Sequence, residues 1–583
     1  MQIITRKFNN ETYNKLKEQG LSPIMAQIYA QRGINTTKEL DYSLKELLPV
    51  NMLKNIMLAV KILEQAIINN QKITIVGDYD CDGATATAVA IKSLKMFGAK
   101  NVSYFVPDRQ KDGYGLSKKI VENLIKENKP DLIITVDNGI TSFEGVEFAN
   151  ELGIKVLVTD HHLAMEKLPN ACCIVNPNQP GDNFGSKNLA GVGVIFYVML
   201  TLKVYLERKE YFKKNNLVVP QMTKLLDLVA LGTVADCVVL DKNNRILVNN
   251  GLKQMREGNM QLGLKELFLQ SDIYEFSKIT INDLGFKIAP KINACGRLDN
   301  MRLGIDCLIE TDDFITQRNA QILTQINDER KQMVNSMKQQ AIEYIEKIDF
   351  KNKNHYSICV FNPDWHEGVV GIIASQLKEK YMVPTLVFTK SNNSDIIKAS
   401  GRSISQIHLK DSLDLLAQKA PTMIVSFGGH AMAAGISIYK KDFEEFSKLF
   451  EQIIFQQMQI KPLNQEIQID GELTNEELNL ENAFFCKNSI WGQNFPYPAF
   501  KGEFEVIEQR ILKDLHLKLT LKRDNKIFSA IQFFAPNLNI EQEKIQIIYK
   551  LDVNEYMGNK NIQLLIEKIL DIPTFENNLS LKF

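Results

Sequence analysis

Asp78, Asp80 and Asp82 alternate through the run Asp-Tyr-Asp-Cys-Asp-Gly, and further acids follow: Asp137 with Asn138, the triplet Asp160-His161-His162, and Asp236. Alternate carboxylates on a strand-to-helix turn can point into one crevice, and the glycine and small residues after them let the backbone approach a bound anion. The first six residues match the start of a calcium loop. That loop closes with a bidentate glutamate at its twelfth position, where Val89 stands, so it is rejected. Carboxylates and imidazoles with no thiolate among them suit Mn2+ or Mg2+ more than a structural zinc. Several carboxylates able to bridge imply two divalent ions about 3.5–4 Å apart, which activate water and stabilise both oxygens of an in-line displacement. The substrate class that calls for such chemistry is a phosphoester.

These residues need a frame. Across residues 72–177 five short apolar runs, ITIVG, VSYFV, LIITV, KVLVT and CCIVN, are mostly separated by helix-length segments. They read as buried parallel strands of a doubly wound α/β sheet. Asp78, Asp137 and Asp160 each follow one of these runs, and the carboxyl ends of such strands form the crevice where ligands sit. One strand-end aspartate is more often a cap or turn residue; the repetition is what favours a site. Asp227 and Asp236 interrupt the apolar stretch 225–240, where an acid is costly unless it is solvated, paired or ligating.

Residues 312–348 carry apolar side chains three to four apart with a polar opposite face, the pattern of a helix bridging two domains. A second α/β unit begins near Tyr356, with strands YSICVF, TLVFT, IIKAS, MIVSF and ISIYK and helices at 369–380 and from Lys410. From about Pro462 to the end the pattern alternates in the β manner, which suggests a small barrel such as an OB-fold.

The length of 583 residues predicts three or four domains. The balance of 69 Lys plus Arg against 69 Asp plus Glu excludes only a protein that is basic all over. It is a cancellation between regions: windows 378–410 and 510–526 each hold six basic residues and two acids, while 463–486 holds six acids and no base. The absence of a run of ~20 apolar residues, and of an apolar signal core at the N-terminus, predicts a cytoplasmic protein that spans no membrane. Eight scattered cysteines without a C-x-x-C pair suggest neither a zinc ribbon nor a disulfide framework.

Several residues qualify as substrate contacts. Arg297 in CGRLD can grip a phosphate oxygen, with a salt bridge to Asp299 or Asp306 as the alternative. Arg109 follows VSYFVPD at the crevice edge. Trp365, beside His366 ahead of a helix, is a candidate base-stacking platform; packing against the long helix competes equally. Ser400-Gly401-Arg402 reads as a turn whose N–H groups, hydroxyl and guanidinium make a phosphate nest. Gly428-Gly429-His430 is either a flexible imidazole-bearing loop or simply a tight turn.

The segments GDYDCDGATA, VDNGI, TDHH, LGTVADCVVL and INACGRLD, in this order, closely resemble the successive motifs of the DHH phosphoesterase superfamily. HEGVVGIIASQL, KASGRS and SFGGHAMAAG are similar to its companion DHHA1 domain. The likeness covers nearly the whole chain from about Val50. It departs at Val239, where proline is usual, at Gln376, where arginine is common, and in the loosely matching SIWGQNFPYPAF. The resemblance implies an α/β multidomain architecture: an N-terminal extension over 1–49, a DHH catalytic domain with a parallel sheet over 50–308, and a bridging helix over 309–349. An α/β DHHA1 domain over 350–456 and an OB-like nucleic-acid-binding β-barrel over 457–583 complete it.

The same resemblance implies two Mn2+ or Mg2+ ions held by Asp78, Asp80, Asp137, His161 or Asp160, and Asp236, with His162 near the scissile phosphate and Asp82 in support. Arg109, Ser400 and Arg402 would bind a 5' end, and His430 would lie in the cleft beside them. The implied activity is hydrolysis of single-stranded DNA from the 5' end to mononucleotides, in repair and recombination. The implied partners are a single-strand-binding protein and a helicase, and a monomer is expected. One alternative is a DHH phosphodiesterase acting on oligoribonucleotides or cyclic dinucleotides, which needs no third domain. Another is a DNA-binding relative without catalysis, against which the intact acids argue.

Overall fold

The computed structural model describes residues 2–109, 112–347, 355–391, 393–460, 466–535, 539–556 and 558–570. It divides into two compact units, one of residues 1–290, 301–320 and 466–583, the other of 291–300 and 321–465.

The first unit opens with strand β1 (Gln2–Thr5) and includes helix α1 (Pro23–Ala30), with Ser22 as its N-cap. The five expected strands follow: β2 (Ile73–Val76), β3 (Val102–Phe105), β4 (Leu132–Val136), β5 (Lys155–Thr159) and β6 (Cys173–Val175). All pair in parallel, in the order β3-β2-β4-β5-β6. β2 and β4 are buried at every position, as strands covered on both faces must be. The order reverses between β2 and β4, the switch point at which an open α/β sheet leaves a crevice. Helix α2 (Cys81–Met96) leaves β2 at that point, and α3 (Gly191–Arg208) and α4 (Leu226–Ala235) pack beside it. Asp227 is fully buried in α4 and accepts the N–H groups of Leu228 and Gln261. It thereby serves local structure.

The second unit includes most of helix α5 (Asp313–Lys347), the expected bridging helix, whose 35 residues extend roughly 52 Å at 1.5 Å per residue. Val334, Met337, Ala341 and Ile345 of α5 are buried in a core shared with α6 (Glu367–Tyr381) and a mixed sheet. The sheet is built from β7 (Ile358–Phe361), β8 (Thr385–Lys390), β9 (Ile396–Arg402), β10 (Ile424–Gly429) and β11 (Ala433–Tyr439). Its order is β10-β11-β9-β8-β7, with only β7 and β8 parallel.

The remaining strands return to the first unit. Here β12 (Glu466–Ile469) and the short β13 (Gly471–Glu472) precede β14 (Phe500–Leu512), β15 (His516–Arg523), β16 (Lys526–Gln532), β17 (Lys544–Tyr556) and β18 (Asn559–Ile569). The last five form a closed barrel: β14-β15-β16-β18-β17, with β14 pairing back to β17. Closure removes the exposed edges, and Phe504, Leu517, Leu519, Leu521 and Tyr549 are buried. The barrel is tied to the parallel-sheet domain where the Leu240 N–H donates to the Gln493 carbonyl at 3.0 Å and the Arg245 guanidinium stacks 4.2 Å from the Phe495 ring.

One pairing had no signal in the hydropathy pattern. β12, read from sequence as part of the barrel region, pairs instead in parallel with β1, Gln2 opposite Glu466 through Thr5 opposite Ile469. The joint is locked by Asp470, whose fully buried carboxylate receives Arg32 at 2.7 Å, Arg6 at 3.0 Å and the Ala499 N–H at 2.9 Å. Gln27 and Gln31 donate to its backbone carbonyl. Removing one partner of a buried ion pair leaves the other charge uncompensated. Asp470→Ala is therefore expected to destabilise this unit by about 3–5 kcal/mol, read as a lower melting temperature. An unchanged melt would show that the joint contributes nothing.

Candidate metal centre

The acids are positioned by strand ends and helix starts. Asp78 follows β2, and Asp80 is the N-cap of α2, its Oδ1 accepting the Gly83 N–H at 3.0 Å. Gly83 is required: a Cβ there would lie 2.6 Å from the Asp78 carbonyl oxygen. Asp82, in the first turn of α2, is buried and accepts the N–H groups of Gly191 at 2.6 Å and Val192 at 2.9 Å. This draws the N-terminus of α3 against the acids, so closely that a Cβ on Gly191 would fall 2.5 Å from the Asp137 Cβ. Asp137 itself ends β4 in a left-handed conformation, φ +62°. Asp236 is the C-cap of α4.

His161 closes the cluster. Its Nε2 lies 3.1 Å from Asp137 Oδ1 and 3.5 Å from Asp236 Oδ2. Neither His161 Nε2 nor Asp137 Oδ1 has a hydrogen-bond partner, although both atoms are buried. Burial first, then the charge of His162, holds His161 down to about 4, so its ring is neutral at physiological pH. A lone pair facing a buried carboxylate oxygen at that distance calls for a cation between them. Among the described residues, ligand atoms of Asp78, Asp80 and Asp137 form one set, those of Asp82, His161 and Asp236 a second and those of Asp137, His161 and His162 a third, the atoms of each set within 4.8 Å of one another. The residues fit a divalent centre of two adjoining positions.

The electrostatics agree. Burial, then the Asp80 charge, pushes Asp78 and Asp236 each up to about 7. Burial and neighbouring aspartates push Asp82 and Asp137 up as well. Asp160 goes the other way: burial would raise it, but the hydrogen bond and charge of His162 and surrounding N–H groups hold it low. Its carboxylate accepts from the N–H groups of Ile140, His161 and His162 and from His162 Nδ1 at 2.7 Å. In return His162 is held up at about 9, against the burial that would lower it. His162 is therefore a charged imidazole on the open side of the cluster, 45% exposed.

Of the other sequence candidates, Arg109 is exposed with its guanidinium 5.0 Å over the Tyr79 ring. Arg297 Nη1 donates to the Gly368 carbonyl at 3.3 Å, and His366 caps α6, accepting the Gly368 N–H at 3.1 Å. His430 is exposed in the β10–β11 hairpin, its N–H on the Ala433 carbonyl. Two readings need correction. Ser400, Gly401 and Arg402 lie on β9, paired on one side with β8 and on the other with β11. Their N–H groups belong to a sheet ladder, so no backbone nest exists; the Ser400 and Arg402 side chains lie near Gly371 of α6, and Arg402 Nη1 donates to the Gly401 carbonyl at 2.8 Å. Trp365 is no open platform: it is 6% exposed, and its indole N–H donates to Gln340 of α5 at 2.8 Å. The apolar ring found more burial against the helix than solvent allowed.

Sequence reasoning passed over Tyr114 and Gly191. The Tyr114 hydroxyl lies 3.2 Å from His162 Nδ1 and donates to the Asp137 carbonyl at 3.3 Å. The signal was the Gly-Tyr-Gly run two residues beyond Lys111.

A switch-point acid and histidine cluster on a parallel sheet, carried with a second α/β unit and a closed barrel, defines a phosphoesterase of the DHH type. The model of the DHH family, N-terminal domain, matches residues 72–233, the DHHA1 domain 353–456 and the RecJ OB domain 469–568. The chain is 42% identical over 558 residues to the single-stranded-DNA-specific exonuclease RecJ of Haemophilus influenzae, covering 94% of this chain and 96% of that protein. It resembles the crystal structure of RecJ in complex with Mn2+ from Thermus thermophilus, with a TM-score of 0.79 at 24% identity over 98% of this chain and 80% of that one. A structure of exonuclease RecJ bound to manganese matches with a TM-score of 0.58 at 28% identity, over 69% of this chain and 95% of that one. The chain belongs to the RecJ family of single-stranded-DNA-specific exonucleases. No helix among the described residues is long and apolar enough to cross a membrane.

Two outcomes are expected. Gly191→Ala would push Asp137 out of place and weaken divalent-cation affinity about 10–100-fold, measured by calorimetric titration; retained affinity would remove Gly191 from the centre. Asp78 and Asp236 sit near 7 when folded and ionise near 4 when unfolded. Without cation, their stabilisation is full below about 4 and lost as pH rises through about 7. A cation replaces those protons, so the gain in melting temperature on adding it should be small at pH 5.5 and large at pH 8. A gain independent of pH would contradict this.

Proposed function

We propose that the protein removes nucleotides from the 5' end of single-stranded DNA, releasing 5'-mononucleotides, with Mn2+ or Mg2+ held by Asp78, Asp80, Asp137, His161 and Asp236. The observation that carries this reading is the two buried atoms Asp137 Oδ1 and His161 Nε2, which face each other without a hydrogen-bond partner inside the acid cluster of a RecJ-family chain. Bound there, two divalent ions would supply a water nucleophile and charge stabilisation for both oxygens of the displacement.

The residues of the chain do the rest. Asp82 supports the ligands by fixing the N-terminus of α3 behind Asp137. Asp160, saturated by four N–H donors, acts as the anchor that keeps His162 charged and aimed outward. His162 then donates a charge-assisted hydrogen bond to a non-bridging oxygen of the scissile phosphate. Arg109 of the first unit, and Arg297, Arg402, Ser400, His366 and His430 of the second, are each suited to substrate phosphates, the arginines by their planar guanidinium groups. On the barrel, the outward side chains Arg510, Lys518 and Lys522, with Phe533 and Phe534 exposed beside His516, suit the backbone and bases of a single strand. In this reading the protein acts in the cytoplasm as a monomer, in DNA repair and recombination, supplied by a helicase and a single-strand-binding protein.

The test is a comparison of single strands blocked at one end. With Mn2+, a 3'-blocked strand should be degraded far faster than a 5'-blocked one. Equal rates would end the polarity claim.

A further inference from the structure

The acids and imidazoles of the centre address phosphate, and nothing so far receives the base of the nucleotide being removed. We infer that Tyr114, flanked by Tyr79, forms a seat on which any nucleobase stacks beside the metal centre. This rests on the exonuclease reading above and extends it to a subsite.

Tyr114 is presented by the backbone in an unusual way. It stands between Gly113 and Gly115, both left-handed at φ +79° and +76°. A Cβ on Gly115 would lie 2.8 Å from Ser142 Oγ, the same oxygen that takes the Leu116 N–H at 2.9 Å. Two glycines in succession around one residue give up much conformational entropy on folding. In a core that loss is offset by burial, yet Tyr114 remains 45% exposed. Its hydroxyl is fixed by the Asp137 carbonyl and sits 3.2 Å from His162 Nδ1. The ring thus extends outward from the residue that meets phosphate, and one sugar separates a phosphate from its base.

Tyr114 has a second aromatic ring beside it. Tyr79 meets Tyr114 edge to face, ring centroids 6.4 Å apart, and the Arg109 guanidinium lies 5.0 Å from the Tyr79 ring centroid. Leu163 and Met165, just beyond His162 in the chain, are 80% and 58% exposed. A half-exposed aromatic ring fixed beside a charged centre, with exposed apolar side chains following the imidazole in sequence, marks a ligand surface. Stacking on an aromatic face is insensitive to base identity because every base has a π-face, as an enzyme that must remove each nucleotide in turn requires.

The experiment compares kcat/KM on two 3'-blocked single strands that differ only in an intact or an abasic 5'-terminal residue. The wild-type protein with Mn2+ should prefer the intact terminus by about tenfold or more. Tyr114→Phe keeps the ring and should keep that preference even where the lost hydroxyl lowers kcat. Tyr114→Ala should bring the ratio close to one, chiefly through KM, with Mn2+ affinity and melting temperature retained. A preference that survives Tyr114→Ala, or one absent from the wild type, overturns the seat. Absence of hydrolysis of both strands by the wild type overturns the exonuclease reading itself, and the seat with it.

Discussion

Five aspartates packed within reach of one another repel, and burial makes each charge more costly. That conflict is what the rest of the catalytic unit is arranged around. Three carboxylates from one turn, one from the next strand end and one from a helix C-cap converge with a neutral imidazole. Protons relieve the repulsion at low pH and divalent cations relieve it at neutral pH. The sheet order supplies the place, since only at the switch point do two strand ends face a crevice left open by helices diverging to opposite faces.

The two histidines of the triplet show how environment separates chemically identical groups. His161 is buried against acids yet lies beside a charged neighbour, and it stays neutral. His162 leans on Asp160 and keeps its proton. A neutral imidazole offers a lone pair and a protonated one a positive charge, so one dipeptide presents both. The difference comes from Asp160, whose carboxylate takes four N–H groups, three on Oδ1, the His162 ring among them, and one on Oδ2.

How much of this could be read beforehand depended on range. The five parallel strands, the long helix and the barrel were legible because each buries an apolar pattern that repeats locally. The acids at strand ends were legible for the same reason. Ser400 and Arg402 were misread because serine, glycine and arginine together have turn character, while pairing with β8 and β11 imposed a strand from outside the segment. Trp365 was undecidable because its burial depends on Gln340 in another element. The pairing of β1 with β12 spans more than 460 positions and leaves no periodic trace at either end. Tyr114 lacked any motif, and its meaning came only from the two left-handed glycines and the imidazole beside it.

That long-range joint also has a temporal side. At about 5–20 residues per second, synthesis takes roughly 25–90 s to travel from β1 to β12. Throughout that interval the parallel sheet can form, whereas β1 presents an unpaired edge and Arg32 lacks the carboxylate it is shaped to meet. β1 is thus made long before its partner and settles only once β12 follows, and the nascent chain must keep that edge from pairing elsewhere until Asp470 emerges.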